Sequence, residues 1–148
     1  MKGDRVSSIT GRRTGTAGTL IALALVAGCY PFEEGKRQSA TFVTAESPEQ
    51  VRERALSWYG LNGYRILRSD LRALRAERER AAEAEADLIY VDMREEREGT
   101  EVTVLGFTQT VNPDASRRTR DDISTVTLAQ QQCLTEVLRR GLSPRAPC

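Results

Sequence analysis

The 148-residue chain contains no histidine. That absence removes Ser-His-Asp and Cys-His catalysis, HExxH zinc sites and imidazole proton relays. Aromatic residues are scarce, at 5%, and neither sign of charge dominates: 22 basic and 21 acidic side chains leave a net charge of +1. A protein built to coat nucleic acid needs a basic face, so this balance argues against such a partner. No apolar run reaches the roughly 20 residues that a membrane-spanning helix requires. There is no P-loop, dinucleotide fingerprint, GxSxG, EF-hand pattern or internal repeat. The three cysteines are too few soft ligands for zinc without histidine. Carboxylates are plentiful, but Asp70, Asp92 and the pair Asp121-Asp122 fall near element ends and read as caps or turn residues. The residues imply no catalytic group, no cofactor and no metal.

What is present begins at the N-terminus. Lys2, Arg5, Arg12 and Arg13, opposed only by Asp4, precede an apolar stretch over residues 17–27. Its length suits the roughly 7–15 residues of a signal-peptide h-region. A core helix is a poor alternative, because Tyr30-Pro31 follows at once and a helix rarely runs through proline. An ordinary export leader with a chance cysteine would share these features. Here, however, the stretch ends in Leu25-Val26-Ala27-Gly28-Cys29, with small residues directly before the cysteine.

That ending resembles the lipobox of bacterial lipoproteins, with Val26 where leucine is commonest. The resemblance implies that Leu25, Val26, Ala27 and Gly28 are read by a dedicated signal peptidase. Cys29 would then be the first mature residue, carrying diacylglyceryl on its thiol and often an acyl chain such as palmitate on its amine. One acyl chain holds a bilayer only marginally, so stable attachment takes a second; a lipoprotein's two or three chains supply it. The implied organisation is a signal peptide at 1–28, a lipidated tether at 29–38, a domain at 39–141 and a tail at 142–148. The leader holds four of the basic and one of the acidic residues, so the remainder carries 18 against 20, a net charge of −2. Tyr30, rather than aspartate, follows the cysteine. By resemblance to proteobacterial sorting, that favours the periplasmic face of the outer membrane in a Gram-negative cell.

Export also bears on Cys133 and Cys148, since disulfides persist in oxidising compartments. A bridge between them would close a loop worth about 3 kcal/mol in the chain-entropy model. The other reading is a buried Cys133 packed as a small hydrophobe, with a free terminal thiol.

Along the domain, residues 39–46 alternate loosely and suggest a strand. Ser47-Pro48-Glu49-Gln50 is a helix start with an S-x-x-Q capping box. Val51, Ala55, Trp58 and Tyr59 follow on one helical face, and Asn62-Gly63 is a stop. Trp58 reads as core. Tyr64, Ile66 and Leu67 suggest a second strand. Residues 71–86 have helical propensity, yet the order Gly-Tyr-x-Ile, a short turn and Leu-x-Ala-x-Arg resembles a strand hairpin of small envelope lipoproteins. That resemblance implies a strand over 72–79 followed by a mobile Ala/Glu loop, with a helix as the alternative. The arginines there interleave with Glu77, Glu79, Glu83 and Glu85, which reads as a solvated face. Residues 87–94 and 101–111 form a hairpin with Gly99 at its tip. A polar loop follows, in which Arg117, Arg118 and Arg120 are either an anion site or simply solvated. Asp121 or Asp122 is expected to open the last helix, with Ile123, Val126, Gln130, Cys133, Leu134, Val137 and Leu138 as its buried stripe and Gly141 as its stop.

The expected fold is α+β: an antiparallel sheet of four to five strands packed against two helices. Over residues 39–111 the element order resembles the helix-on-sheet modules of envelope lipoproteins, including lipoprotein subunits of the outer-membrane barrel-assembly machinery. The expected function is a non-enzymatic envelope lipoprotein. It would be held to the membrane through lipid on Cys29 and would bind or support another envelope protein. The alternatives are a small-ligand or lipid-binding module and, last, a hydrolase.

Overall fold

The computed structural model describes residues 38–147. Within them the chain forms β1 (Gln38–Thr44), α1 (Pro48–Leu61), β2 (Arg65–Ser69), β3 (Ala73–Arg80), β4 (Glu85–Glu96), β5 (Gly99–Val111), β6 (Arg117–Thr119) and α2 (Thr125–Arg139). The strands make one antiparallel sheet in the order β1-β5-β4-β3-β2, with β6 added to β5. This is the α+β class expected. The sixth strand, β6, arises inside the segment read from sequence as a loop. β5 is the hub: β4 covers one of its edges, while β1 takes residues 100–106 of the other edge and β6 takes residues 109–111.

α1 starts as its sequence dictates. The Gln50 N–H donates to Ser47 Oγ at 3.3 Å, and the Ser47 N–H donates to Gln50 Oε1 at 3.0 Å. Pro48 occupies the first turn, where its missing N–H costs nothing. Val51, Ala55, Trp58 and Tyr59 are buried. The chain then reverses through Gly63 at φ 73.

Residues 73–80 form a strand in spite of their helical propensity. Leu74 and Ala76 alternate into the core, and pairing to β2 on one side and β4 on the other overrides the local preference. The turn into β3 is set by Asp70, whose Oδ1 accepts the backbone N–H groups of Arg72 and Ala73, both at 2.9 Å. The stretch expected to be a mobile Ala/Glu loop is a single 3-10 turn, Ala81–Glu83, closed by Ala84 in the left-handed region. Gly99 is not the tip of the next hairpin. Arg97 and Glu98 are, and Gly99 opens β5 opposite Glu96. Its φ is 143, and a Cβ there would lie 2.0 Å from the Thr44 carbonyl oxygen.

The start of α2 corrects the sequence reading. Neither Asp121 nor Asp122 is its cap; Ser124 is, with its Oγ accepting the Thr127 N–H at 3.1 Å. The buried stripe shifts accordingly. It comprises Thr127, Gln131, Cys133, Leu134, Thr135, Val137 and Leu138, while Ile123 precedes the helix and Val126 is 40% exposed. Gly141, at φ 60, ends the helix as expected.

Both helices cover one face of the sheet. Between them and the strands, Trp58, Tyr59, Leu74, Ile89, Val91, Leu134 and Leu138 fill the interior. The ring centroids of Trp58, Tyr59 and Tyr64 lie 5.6–5.8 Å apart. Tyr59 donates to the Ile89 carbonyl at 3.0 Å, and burial pushes the Tyr59 and Tyr64 phenols upward. The other face carries a smaller cluster of Ala86, Leu88 and Phe107, flanked by Tyr90, Leu105 and Val111. There the Tyr90 and Phe107 rings meet edge-on at 4.9 Å, with Arg75 over Tyr90 at 4.6 Å.

Candidate functional site

Two features stand out on the folded domain: a cluster of charge at one end of the sheet and an open strand edge at its side. The charge cluster centres on Asp87. Strand alternation puts it on the helix-bearing face, in line with Ile89, Val91 and Met93, and it is fully buried. Its Oδ2 accepts from Arg78 Nη2 at 2.7 Å. Its Oδ1 accepts from Arg80 Nε at 2.9 Å and from Thr127 Oγ1 at 2.7 Å. Thr127 also lies 2.7 Å from Thr108 Oγ1 and 2.8 Å from Ser124 Oγ. Ser124 Oγ accepts from the Thr127 N–H and Arg80, and Thr108 Oγ1 accepts from the Ser124 N–H. One proton order satisfies everything: Ser124 and Thr108 donate to Thr127, which donates to Asp87. Buried charge is stable when paired in this way. Chemically the cluster is a clamp, joining β3 and β4 to the first turn of α2, where a carboxylate also favours the helix dipole.

A second set of ion pairs closes the same end of the sheet. Glu77, 3% exposed, pairs with both Arg65 and Arg117, and Arg117 also reaches Glu79. Burial pushes the Glu77 carboxyl up, but hydrogen bonds and charge from Arg65 and Arg117 outweigh it and hold the group below its ordinary value. Arg120 pairs with Glu85 and Asp122, whose carboxyl is lowered chiefly by the Arg120 hydrogen bond. The arginine cluster is therefore not simply solvated. Arg117 and Arg120 already hold carboxylates, and Arg118 stands exposed opposite Thr110. The interleaved Arg/Glu run of β3 is likewise an ion-pair ladder with Glu77 inside it. Asp92 pairs with Arg75 at 2.6 Å.

The sheet ends on β1 at one side and β2 at the other, and β2 is the more exposed edge. β3 pairs one side of it, no strand among the described residues pairs the other, and all five of its residues are exposed. Leu67 is an extra residue at a bulge between Ile66 and Arg68. Ile66 is 38% exposed, Leu67 47% and Leu71, in the following turn, 51%. Arg65, Arg68 and Arg72 flank them, with Arg65 tied to Glu77 and Arg68 to Asp70.

Cys29, the residues Leu25, Val26, Ala27 and Gly28 before it, and Cys148 lie outside the described residues. Cys133 is 7% exposed and disulfide-bonded. Among the described residues no group of three or more Cys, Asp or Glu is placed to hold a metal ion. None of their helices is long and apolar enough to cross a membrane.

No protein-family model matches the chain, and no curated protein matches it. Among solved structures, the chain is similar to the crystal structure of protein CV1439 from Chromobacterium violaceum. Identity is 13% and the TM-score 0.45, over 74% of this chain and 98% of that one.

Proposed function

We propose that the protein is a lipid-anchored, non-enzymatic component of a bacterial envelope whose domain docks another envelope protein along β2. The open β2 edge carries the reading. Its free backbone groups can accept an extended segment as an added strand, and its side chains supply specificity. Ile66, Leu67 and Leu71 offer apolar contact, and the flanking arginines favour a segment bearing acidic residues. They also disfavour a second copy of β2 itself, which would set arginines against arginines. The lipobox places the domain: β1 opens at Gln38, nine positions after Cys29, so a fully extended tether reaches at most about 30 Å from the lipid.

A photo-crosslinking residue in place of Leu67, in the full chain in intact cells, should recover one specific envelope protein. The same residue at Val43, exposed on the opposite side of the sheet, should not. Equal recovery from both positions, or none from either, would reject docking along β2. The anchor is tested separately. Cys29→Ser should abolish palmitate labelling, and equal labelling of variant and wild type would sink it.

A further inference from the structure

We infer that the groove between the two helices and the C-terminal segment is a binding site for a single-chain anionic amphiphile with a hydroxyl in its headgroup, the chemistry of a lysophospholipid. This goes beyond docking at β2, from which the site is separate.

The groove is formed by how α2 ends. At Gly141 the chain turns back: the Gly141 N–H donates to the Leu138 carbonyl and the Leu142 N–H to the Val137 carbonyl. That is the paired bonding of a Schellman stop. Arg54 of α1, itself paired with Glu46, donates to the Leu142 carbonyl and pins the start of the segment. Residues 142–147 then lie alongside α2 as one wall of an open groove of about 740 Å³. The C-terminal end of α1 and the outer side of α2 make the rest. That volume falls within the roughly 300–1,000 Å³ range of small-molecule sites and is too small for a docked domain.

The lining specifies the occupant. Leu61, 52% exposed, and Leu142, 36% exposed, are large hydrophobic side chains open to water, and both line the groove together with Val137. An alkyl chain would cover them. Gln130 Oε1, also in the lining, is buried with no hydrogen-bond partner. An orphaned acceptor is costly until a donor arrives, and a headgroup hydroxyl is such a donor. Arg145, exposed, brings a guanidinium for a phosphate or carboxylate. The acid in the lining, Glu136, is already engaged by Arg139 and Arg140, so Arg145 sets the local sign.

Trp58 forms part of the lining and is the chain's single tryptophan, so quenching of tryptophan fluorescence by a bound probe is read at this position. The test uses the full chain in bilayer discs, titrated with lysophosphatidylglycerol brominated on its acyl chain. Wild type should be quenched saturably. Leu61→Asp and Leu142→Asp, both at exposed positions, should each weaken the apparent affinity about tenfold or more. Arg145→Glu should weaken the anionic probe but not a neutral brominated alkyl maltoside, and Val43→Asp should change nothing. Absence of quenching would overturn the inference. So would quenching unaltered in both leucine variants, because the probe would then be acting from the disc. A leucine variant with an altered melting temperature is set aside in favour of the other, and Arg145→Glu provides an independent reading.

Discussion

Asp87 and Asp92 lie five positions apart on β4, on opposite faces of the sheet, and both face arginine. Asp92 pairs with Arg75 in the open, with about half its side chain exposed, where an ion pair contributes at most about 1 kcal/mol. Asp87 is fully buried. Its removal would take from Arg78 its only carboxylate among the described residues, leave Arg80 with Glu85 and Glu83, and strip the Thr127 hydroxyl of its acceptor. Asp87→Ala is expected to cost about 3–5 kcal/mol and Asp92→Ala less than about 1 kcal/mol, both measured by urea unfolding. Equal losses would mean that Asp87 is not the clamp described. Gly99→Ala should also destabilise the fold by more than about 1 kcal/mol. It meets both an unfavourable φ and the Thr44 carbonyl, and the loss is readable in the same unfolding midpoint. Neither effect can be seen in composition. Alternation does set Asp87 on the face of Ile89 and Val91, so period two held the clue that a buried carboxylate belonged there. Its partners on β3 and α2 come from pairing that no local pattern reveals.

Each helix is capped by a serine, and the two caps are not equivalent. Ser47 stands at the surface and bonds only within its own capping box. Ser124 caps α2 and at the same time accepts from Arg80 and donates into the Thr127 chain. Ser47→Ala should cost about 1 kcal/mol, and Ser124→Ala should cost clearly more, compared by thermal unfolding under one condition. Legibility differed between these helices for the same reason. The start of α1 was written in four consecutive residues. For α2, Asp121-Asp122 imitated a cap, but Asp122 serves Arg120, and the true cap sits where the chain meets Thr108. β6 was illegible because Arg117-Arg118-Thr119 has no apolar alternation; only backbone pairing to β5 makes it a strand. β3 was only half legible: its Ala, Leu, Glu and Arg residues favour a helix, and the strand reading rested on a resemblance in element order, because the pairing to β2 and β4 that decides it is not local.

For the whole molecule, acid should weaken the closed end of the sheet. The Glu77 carboxyl is lowered in the folded state. The stability it contributes is therefore complete above the ordinary glutamate value of about 4.3 and is lost as pH falls through the lowered one. Glu77→Gln should flatten the stability profile below about pH 4 while leaving its shape near neutrality unchanged. Unfolding midpoints measured across that range check this, and an unaltered acid slope would show that other carboxylates govern it. At this scale the fold class and the two-helix covering of one face were visible in the sequence. The disposition of charge was not, because ionic residues read as solvent-facing until their burial is seen.

The strand order has a mechanical consequence. β1, through which the chain enters from the side of Cys29, and β2, the open edge, stand at opposite ends of the path β1-β5-β4-β3-β2, about 19 Å apart at ordinary strand spacing. A pull between the entry strand and anything gripping β2 runs across the strands. It loads their hydrogen bonds one ladder after another, as in opening a zipper. The 12-residue strand β4 is paired along its whole length with β5, whereas β2 has five residues and a bulge. Under such a pull the short β2–β3 seam should yield before the β4–β5 ladder, which has three times as many paired positions.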